Sequence, residues 1–85
     1  MSMRRSKGFW RDTIRQALVG LGGEADMSPD IYGEIEKRRH LTPRELSDSP
    51  HGGRPRFVHT VRGVASDMVN DGELIRVARG RFRLL

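Results

Sequence analysis

The sequence predicts a mainly helical α+β fold that closes on a small β-hairpin. Three segments repeat apolar residues at the spacing of one helix face, and the last twelve residues hold two β-prone runs around a single glycine. The length of 85 residues suits one small domain and leaves little room for a large enclosed active site.

The first predicted helix covers residues 9–21. Its apolar residues recur at helical spacing: Trp10, Ile14, Ala17, Leu18 and Leu21. The pair Gly22-Gly23 marks its end. Residues 1–8 are basic and lack this periodicity, so we expect a flexible N-terminal arm over residues 1–8 ahead of one folded domain over residues 9–85.

The second predicted helix begins at a serine-proline pair. Ser28 suits the N-cap, and Pro29 suits the first helical position, where its missing N–H costs nothing. The inner face that follows consists of Ile31, Tyr32 and Ile35. The helical pattern fades by residues 39–40.

A short helical turn is predicted next, in the sequence LTPREL at residues 41–46. Thr42 and Glu45 fit a capping box with proline at the first helical position. Leu41 and Leu46 stand where the two partners of a hydrophobic staple pair. The turn ends in residues 48–50.

The longest helical signal covers residues 55–71, with Pro55 as its first helical residue and Gly72 as its stop. Its predicted inner side consists of Phe57, Val58, Val61, Val64, Ala65, Met68 and Val69. Its outer side is polar or small, and this side carries most of the candidate functional residues.

Two β-prone runs around Arg79-Gly80 predict a C-terminal hairpin within residues 74–85. The residues expected to face the core are Ile75, Val77, Phe82 and Leu84. Strand alternation then places Arg76, Arg81 and Arg83 together on the outer face, with Arg79 at the tip.

Composition excludes several classes of site. There is no cysteine, and the three histidines lack the spacing of metal ligands, so we expect no disulfide framework, no metal and no cofactor. Ser47, Asp48 and His51 are close in sequence but lie in a loop that offers no oxyanion site, so we expect no catalysis. The basic start runs into a polar periodic segment, which predicts a soluble, cytoplasmic protein with no membrane partner.

Charge is unevenly distributed. Residues 1–23 carry +4, residues 24–53 carry −3, and residues 54–85 carry +4. All cations of the last block are arginines, whose planar fork matches phosphate or guanine. This pattern favours a polyanion partner, although a solvated arginine-rich surface gives the same counts.

The order of three helices and a tight hairpin matches a winged helix-turn-helix. In that fold the third long helix enters the DNA major groove and the hairpin, or wing, contacts the adjacent backbone. Double-stranded DNA is therefore the expected partner. Arg54 and Arg56 are expected to bind phosphate at the positive end of the third helix.

Further candidates lie along the third helix and on the wing. The candidate base-reading residues are His59, Thr60, Arg62, Gly63 and Ser66, with Arg62 first because arginine pairs with guanine through two hydrogen bonds. The wing candidates are Arg76, Arg79 and Arg81, for which protection of an exposed strand edge is the competing explanation.

Four segments carry a resemblance to a known family: LGGEA at 21–25, LTPREL at 41–46, GRPRFVHTVRGVASDMVNDGELI at 53–75 and RGRFRL at 79–84. They resemble the N-terminal winged-helix domain of Mrr-type restriction endonucleases and related modification-dependent systems. The resemblance implies a domain that contributes DNA recognition ahead of a nuclease. Thr60 stands where that family usually has arginine, and Gly63 where it has an aromatic residue, so the family's sequence preference is not implied.

Several alternatives stay open. The DNA-binding protein could act in restriction targeting or in transcriptional regulation, alone, as a homodimer or with a larger nuclease partner. A winged helix can also serve as a protein-interaction or oligomerisation module, here through the acidic block at residues 24–53. A nuclease fragment would cleave DNA with a metal, but the sequence offers no group of two carboxylates and a lysine.

Overall fold

The computed structural model describes residues 5–48 and 53–85, and the predicted mainly helical α+β fold is confirmed. In chain order its elements are α1 (Lys7–Gly20), β1 (Glu24–Asp26), α2 (Tyr32–Arg38), α3 (Pro43–Leu46), α4 (Arg56–Asn70), β2 (Leu74–Ala78) and β3 (Arg81–Leu84). An irregular helical turn, Met27–Ile31, leads directly into α2.

Helix α1 is delimited by hydrogen bonds at both ends. The Phe9 N–H donates to Ser6 Oγ at 3.1 Å, so the helix starts at Lys7, inside the segment expected to be an N-terminal arm. Residues 1–4 of that arm lie outside the described residues. At the other end Gly22 has a φ of 92° and the Gly23 N–H donates to the Leu18 carbonyl at 2.7 Å, which closes a Schellman motif.

The segment between α1 and α2 contains a strand that the sequence does not predict. Ala25 of β1 is buried and lies opposite Phe82 of β3. A three-residue strand with one apolar residue is too short to show an alternating pattern. Beyond it, Ser28 is extended (φ −119°, ψ 127°), but regular helix α2 begins at Tyr32 and not at Pro29 as predicted; it ends at Arg38, close to the predicted limit.

Helix α3 has the predicted capping box. The Glu45 N–H donates to Thr42 Oγ1 at 3.1 Å, and the Thr42 N–H donates to Glu45 Oε1 at 2.8 Å. Leu41 packs against the core, but Leu46 is 47% exposed, so only the first leucine of the expected staple is covered. The predicted end of the turn falls largely on residues 49 and 50, outside the described part.

Helix α4 supplies a large share of the core. Its buried residues are Phe57, Val58, Val61, Val64, Ala65 and Met68, and Val69 is half-buried, so the predicted inner side is confirmed. The helix begins at Arg56 and not at Pro55, because Pro55 has an extended ψ of 144°. Gly72, with a φ of 80°, ends it through a second Schellman motif, in which the Glu73 N–H donates to the Met68 carbonyl at 2.8 Å.

The three strands form one antiparallel sheet in the order β1-β3-β2. The predicted hairpin is present, but its inner face differs. Leu74 is buried, whereas Ile75 and Val77 are 38% and 37% exposed, so the prediction that these two face the core is wrong. Because Leu74 follows the α4 stop closely and takes the inward position, the alternation of β2 is shifted by one residue.

One hydrophobic cluster joins all the larger elements. Trp10 and Ile14 of α1, Ile35 of α2 and the inner side of α4 meet in it, with Phe82 covering the sheet side. Tyr32 meets Phe57 edge to face, with ring centroids 6.0 Å apart. This packing fixes the rotation of α4 about its axis. No helix in the described ranges has the length and apolar character needed to cross a membrane.

Candidate nucleic-acid interface

The outer face of α4 is set by the burial of its inner face. Because the inner face is fixed in the core, the opposite side of the helix is directed away from it. The five candidate base-reading residues are all exposed: His59, Thr60, Arg62, Gly63 and Ser66. Their three- and four-residue separations make them neighbours on one continuous surface.

A cleft of about 520 Å³ separates this surface from the hairpin. It brings together five predicted site residues: Arg62, Gly63, Ser66, Arg76 and Arg79. Met27 and Phe82, both buried, provide its apolar lining. The cleft is therefore lined both by the helix that the sequence assigned to base reading and by the hairpin that it assigned to backbone contact.

Arg76 lines the cleft because of a strand register that the sequence did not predict. It lies opposite Phe82 in the register of β2 and β3, so the two side chains share a face of the sheet. Its guanidinium carbon is 5.3 Å from the Phe82 ring centroid, a cation–π contact that orients the charged group. The prediction that Arg76 shares the outer face with Arg81 and Arg83 is wrong. The cause is the one-residue shift in the alternation of β2 that also places Leu74 in the core.

The wing tip is held against the body of the protein. Gly80 has a φ of 71°, which suits glycine in this tight turn, and its carbonyl accepts a 2.7 Å hydrogen bond from the Met27 N–H. Arg79, the preceding residue, is exposed at this turn. A fixed tip gives Arg79 a defined position on the wall of the cleft.

Arg81 has carboxylate partners in the structure. Its Nε donates to Glu24 Oε2 at 2.6 Å and its Nη1 to Asp26 Oδ1 at 3.3 Å. These bonds, the one to Glu24 first, raise the pKa of Arg81. Arg83 lies 4.0 Å from the same Glu24. Arg81 thus joins β1 to β3, and its charge is balanced locally.

Arg54 and Arg56 lie at the start of α4, as predicted. Arg54 is exposed, while Arg56 is half-buried and its Nε donates to Ser47 Oγ at 3.2 Å. The Arg56 N–H also donates to the Ser47 carbonyl at 2.9 Å. These bonds fix the chain after α3 to the first turn of α4 and hold the positive end of that helix in place.

The described arginines without a carboxylate partner lie from α3 onward in the chain. In the ranges 5–48 and 53–85, six arginines have no carboxylate oxygen within 4.0 Å: Arg44, Arg54, Arg56, Arg62, Arg76 and Arg79. All of them belong to α3, α4 or the hairpin, or directly precede α4. Three of the six, Arg62, Arg76 and Arg79, line the cleft.

The two acidic residues that follow α4 form ion pairs with arginines of α1. Asp71 and Glu73 form ion pairs with Arg11, and Glu73 also pairs with Arg15. The hydrogen bond that Arg11 donates to Asp71 is the main reason that the pKa of Arg11 is raised. Because these acids are engaged with α1, their charges are partly neutralised away from the cleft.

Three residues that line the cleft were not predicted as site residues: Met27, Gly80 and Phe82. The alternation of the hairpin identified Phe82 as a core residue, and this is correct, but no local pattern shows that Arg76 lies over its ring. Met27 enters the cleft because β1 brings the chain beside the wing tip, a consequence of the unpredicted strand.

Two further features bear on the chemistry. Among the described residues, no group of three or more His, Asp or Glu side chains is placed to hold a metal ion. Ser47 is hydrogen-bonded to the start of α4, as described above, and His51 lies outside the described residues.

Comparison with protein-family models, curated proteins and solved structures gives no match. The resemblance to the Mrr-type winged helix therefore stays a prediction.

Proposed function

We propose that this chain is a winged-helix protein that binds double-stranded DNA, with α4 in the major groove and the β2–β3 hairpin on the adjacent backbone. The observation that carries the proposal is the cleft between these elements, which has Arg62 on one wall and Arg76 and Arg79 on the other. None of these arginines has a carboxylate partner among the described residues.

The topology supports a winged helix. A strand between the first two helices pairs with the last strand, and the hairpin follows the longest helix directly. This arrangement sets a hairpin beside the exposed face of a helix that is anchored in the core. It is the placement that a winged helix needs for its helix and wing to contact one duplex together.

The residue types divide into two roles. Arg62 on α4, with His59 and Ser66 beside it, is suited to base edges, where a bidentate arginine–guanine pair discriminates by about 1–3 kcal/mol. Arg76 and Arg79 on the wing, with Arg54 and Arg56 at the start of α4, are suited to phosphate oxygens. Phosphate contacts fix the register, and the base contacts supply the sequence preference.

The proposed biological role is DNA recognition without catalysis, in restriction targeting or in transcriptional regulation. The resemblance to the Mrr-type domain supports restriction targeting, in which a homodimer or a larger nuclease would be the protein partner. The competing role as a protein-interaction module through the acidic block receives less support. Four acids of that block are already in ion pairs: Glu24, Asp26, Glu34 and Glu45.

The proposal is tested by duplex affinity across a salt series. Affinity for a mixed-sequence duplex should fall steeply between about 50 and 200 mM salt, because each phosphate contact contributes about 0.9 to the slope of log affinity against log salt. The triple variant Arg62→Gln, Arg76→Gln, Arg79→Gln should bind more weakly and with a shallower slope.

The matched control removes the same charge from α1 and α2, through Lys7→Gln, Arg15→Gln and Lys37→Gln. These three side chains are 45–78% exposed. The control should keep most of the affinity. Equal losses in the two triple variants would contradict a site at the cleft. Absence of any duplex binding, with a mass that rises with concentration in light scattering, would favour the interaction module.

A further inference from the structure

The cleft between α4 and the hairpin has an apolar floor that phosphate contacts do not explain. Met27 and Phe82 line it while being only 6% and 5% exposed, so they form its deepest part. Phosphate oxygens need cations and hydrogen-bond donors, which the arginines of the walls supply. An apolar floor instead suits a ligand with an apolar surface of its own. The volume of about 520 Å³ is within the range of small-ligand pockets, roughly 300–1,000 Å³.

Arg76 covers part of this floor with a planar charged group. Its guanidinium carbon lies over the Phe82 ring, 5.3 Å from the centroid, and the residue is exposed and lines the cleft. One side of the guanidinium group is thus turned to the ring, and the other side is turned to the cleft. Guanidinium planes stack on unpaired nucleobases as aromatic rings do. Arg76 therefore offers a base a stacking surface, while the N–H groups at its edge stay available for phosphate.

The walls beside Arg76 combine open space with hydrogen-bonding groups. Gly63 on α4 and Gly80 on the hairpin line opposite walls, and a Cβ built on either meets no described atom within 4 Å. Arg62 and Ser66 are four residues apart on α4, so they are neighbours on one face of the helix. A guanidinium donates hydrogen bonds, and a hydroxyl both donates and accepts them. Together these groups can bind the polar edge of a base.

The arginines of the cleft are not neutralised by the protein. In the described part of the chain, none of Arg62, Arg76 and Arg79 has a carboxylate oxygen within 4.0 Å. Residues 1–4 and 49–52, outside that part, contain no aspartate or glutamate. The ligand that matches floor, walls and charge is therefore a flat ring with a polar edge that is joined to an anion.

We propose that the cleft holds one nucleobase together with its phosphate, with the base stacked on Arg76 and hydrogen-bonded by Arg62 and Ser66. Arg79 at the wing tip contacts the phosphate. In a duplex this base is extrahelical, so the inference rests on the proposed duplex binding and deepens it. The protein then prefers a site where a base has no partner, because an unpaired base costs less to extrude. A free mononucleotide carries the same chemistry.

Two duplexes with the same top strand test the inference. In one a central guanine is paired with cytosine, and in the other it faces an abasic site. The wild type should bind the second duplex about tenfold more tightly, because no base pair has to be opened. The salt slopes for the two duplexes should be equal, since both have the same phosphates.

Arg76→Lys keeps the charge but removes the planar group. This variant should bind the two duplexes with nearly equal affinity and should retain the salt slope of the wild type. The matched control is Arg79→Lys, the same change at the wing tip, where a phosphate contact needs no stacking surface; it should keep the preference. Unchanged unfolding midpoints verify that both variants fold. Loss of the preference in both variants, or in neither, would overturn the role of Arg76.

Deoxyguanosine monophosphate and inorganic phosphate, each titrated into the labelled protein, identify the source of the base. If the ligand is an extrahelical base, the preference for the unpaired guanine is present and the nucleotide shifts the amide signals of residues 63, 66 and 80 only weakly. Saturating shifts by the nucleotide, with equal binding of the two duplexes, would identify a free nucleotide.

Two results would contradict different parts of the account. Equal affinity for the two duplexes, with the same shifts from the nucleotide as from inorganic phosphate, would show a phosphate site only. That result would overturn the base site while duplex binding itself stands. A wild type that binds neither duplex would overturn the proposed function instead.

Discussion

Gly63 is a residue whose identity the fold does not require. It lies on the exposed side of α4, its φ is not positive, and a Cβ built there meets nothing within 4 Å. Glycine inside a helix costs about 1 kcal/mol relative to alanine. If the proposed DNA binding holds, close approach of the helix backbone to the duplex would account for a glycine at this position.

Gly63→Ala should raise the free energy of unfolding by about 0.5–1 kcal/mol and weaken duplex binding. Stability and binding then change in opposite directions, which a general folding defect cannot produce. Chemical unfolding and a mobility shift measure the two effects. The control is Gly8→Ala in α1, where a Cβ makes only an ordinary 3.7 Å contact with Ser6 Oγ. If Gly63→Ala binds DNA as well as Gly8→Ala does, close approach at this position is wrong.

At the scale of single elements, the two acidic residues of β1 form ion pairs with an arginine of the wing and so neutralise part of its charge. Glu24 and Asp26 hold the Arg81 guanidinium, and their own negative charge lies beside the hairpin. The double variant Glu24→Gln, Asp26→Asn should release Arg81, raise duplex affinity and steepen its salt dependence.

The control for this variant removes two carboxylates that form no ion pair within the described residues, by Asp30→Asn and Glu36→Gln. It changes the net charge equally but releases no arginine. A salt titration of duplex affinity compares the two variants. If both raise affinity by the same factor, the gain comes from net charge alone and Arg81 has no part in it.

The ion pair between Glu34 and Arg38 of α2 should make the stability of the fold depend on pH. The hydrogen bond from Arg38, at 2.8 Å from Glu34, is the main cause of a lowered pKa for the Glu34 carboxyl. This ion pair lies over Gly20, where a Cβ would collide with the Arg38 side chain. A lowered carboxyl pKa stabilises the fold at pH above the ordinary value, about 4.3, and the effect is lost as pH falls through the folded value.

Glu34→Gln should therefore be less stable than the wild type at neutral pH and should approach it in stability below about pH 4. Thermal unfolding midpoints measured across this pH range provide the test. A constant difference between the two proteins at all pH values would show that the ionised form of Glu34 has no special role.

The elements differ in how far the sequence could predict them. Helices α1 and α4 were predictable because their apolar residues repeat over three or more turns and glycines stop them. Strand β1 was not, since its pairing with β3 depends on residues more than fifty positions away. The inward-facing residues of β2 were predicted one position too late. Leu74, Ile75 and Val77 are all apolar, so composition does not show which of them face the core, and only the short distance from the end of α4 places Leu74 there.

The same limits apply to the candidate site. Helical spacing correctly placed Arg62, Gly63 and Ser66 on the outer face of α4. The partners of Arg76 and Arg81 are set by the register of β3 and by β1, so the sequence could not show that Arg76 enters the cleft or that Arg81 has acidic partners. Tyr32 was predicted as a core residue, and it is buried in the structure.

At the scale of the whole molecule, the two faces differ in how their charges are balanced. Many cations of α1 and α2 are paired with acids, including those that follow α4, whereas the arginines around the cleft have no such partners in the described part of the chain. Positive charge without a carboxylate partner is thus present where α4 and the hairpin meet, on Arg62, Arg76 and Arg79.

The most direct test of DNA binding at the α4–hairpin cleft is an NMR titration of the labelled protein with a mixed-sequence duplex, since 9.7 kDa is well suited to amide assignment. The amide signals of residues 59–66 and 79–80 should shift together in the early steps, while those on the exposed side of α1 around Val19 should not. Shifts confined to α1, or a spectrum unchanged at saturating duplex and low salt, would contradict the proposed interface.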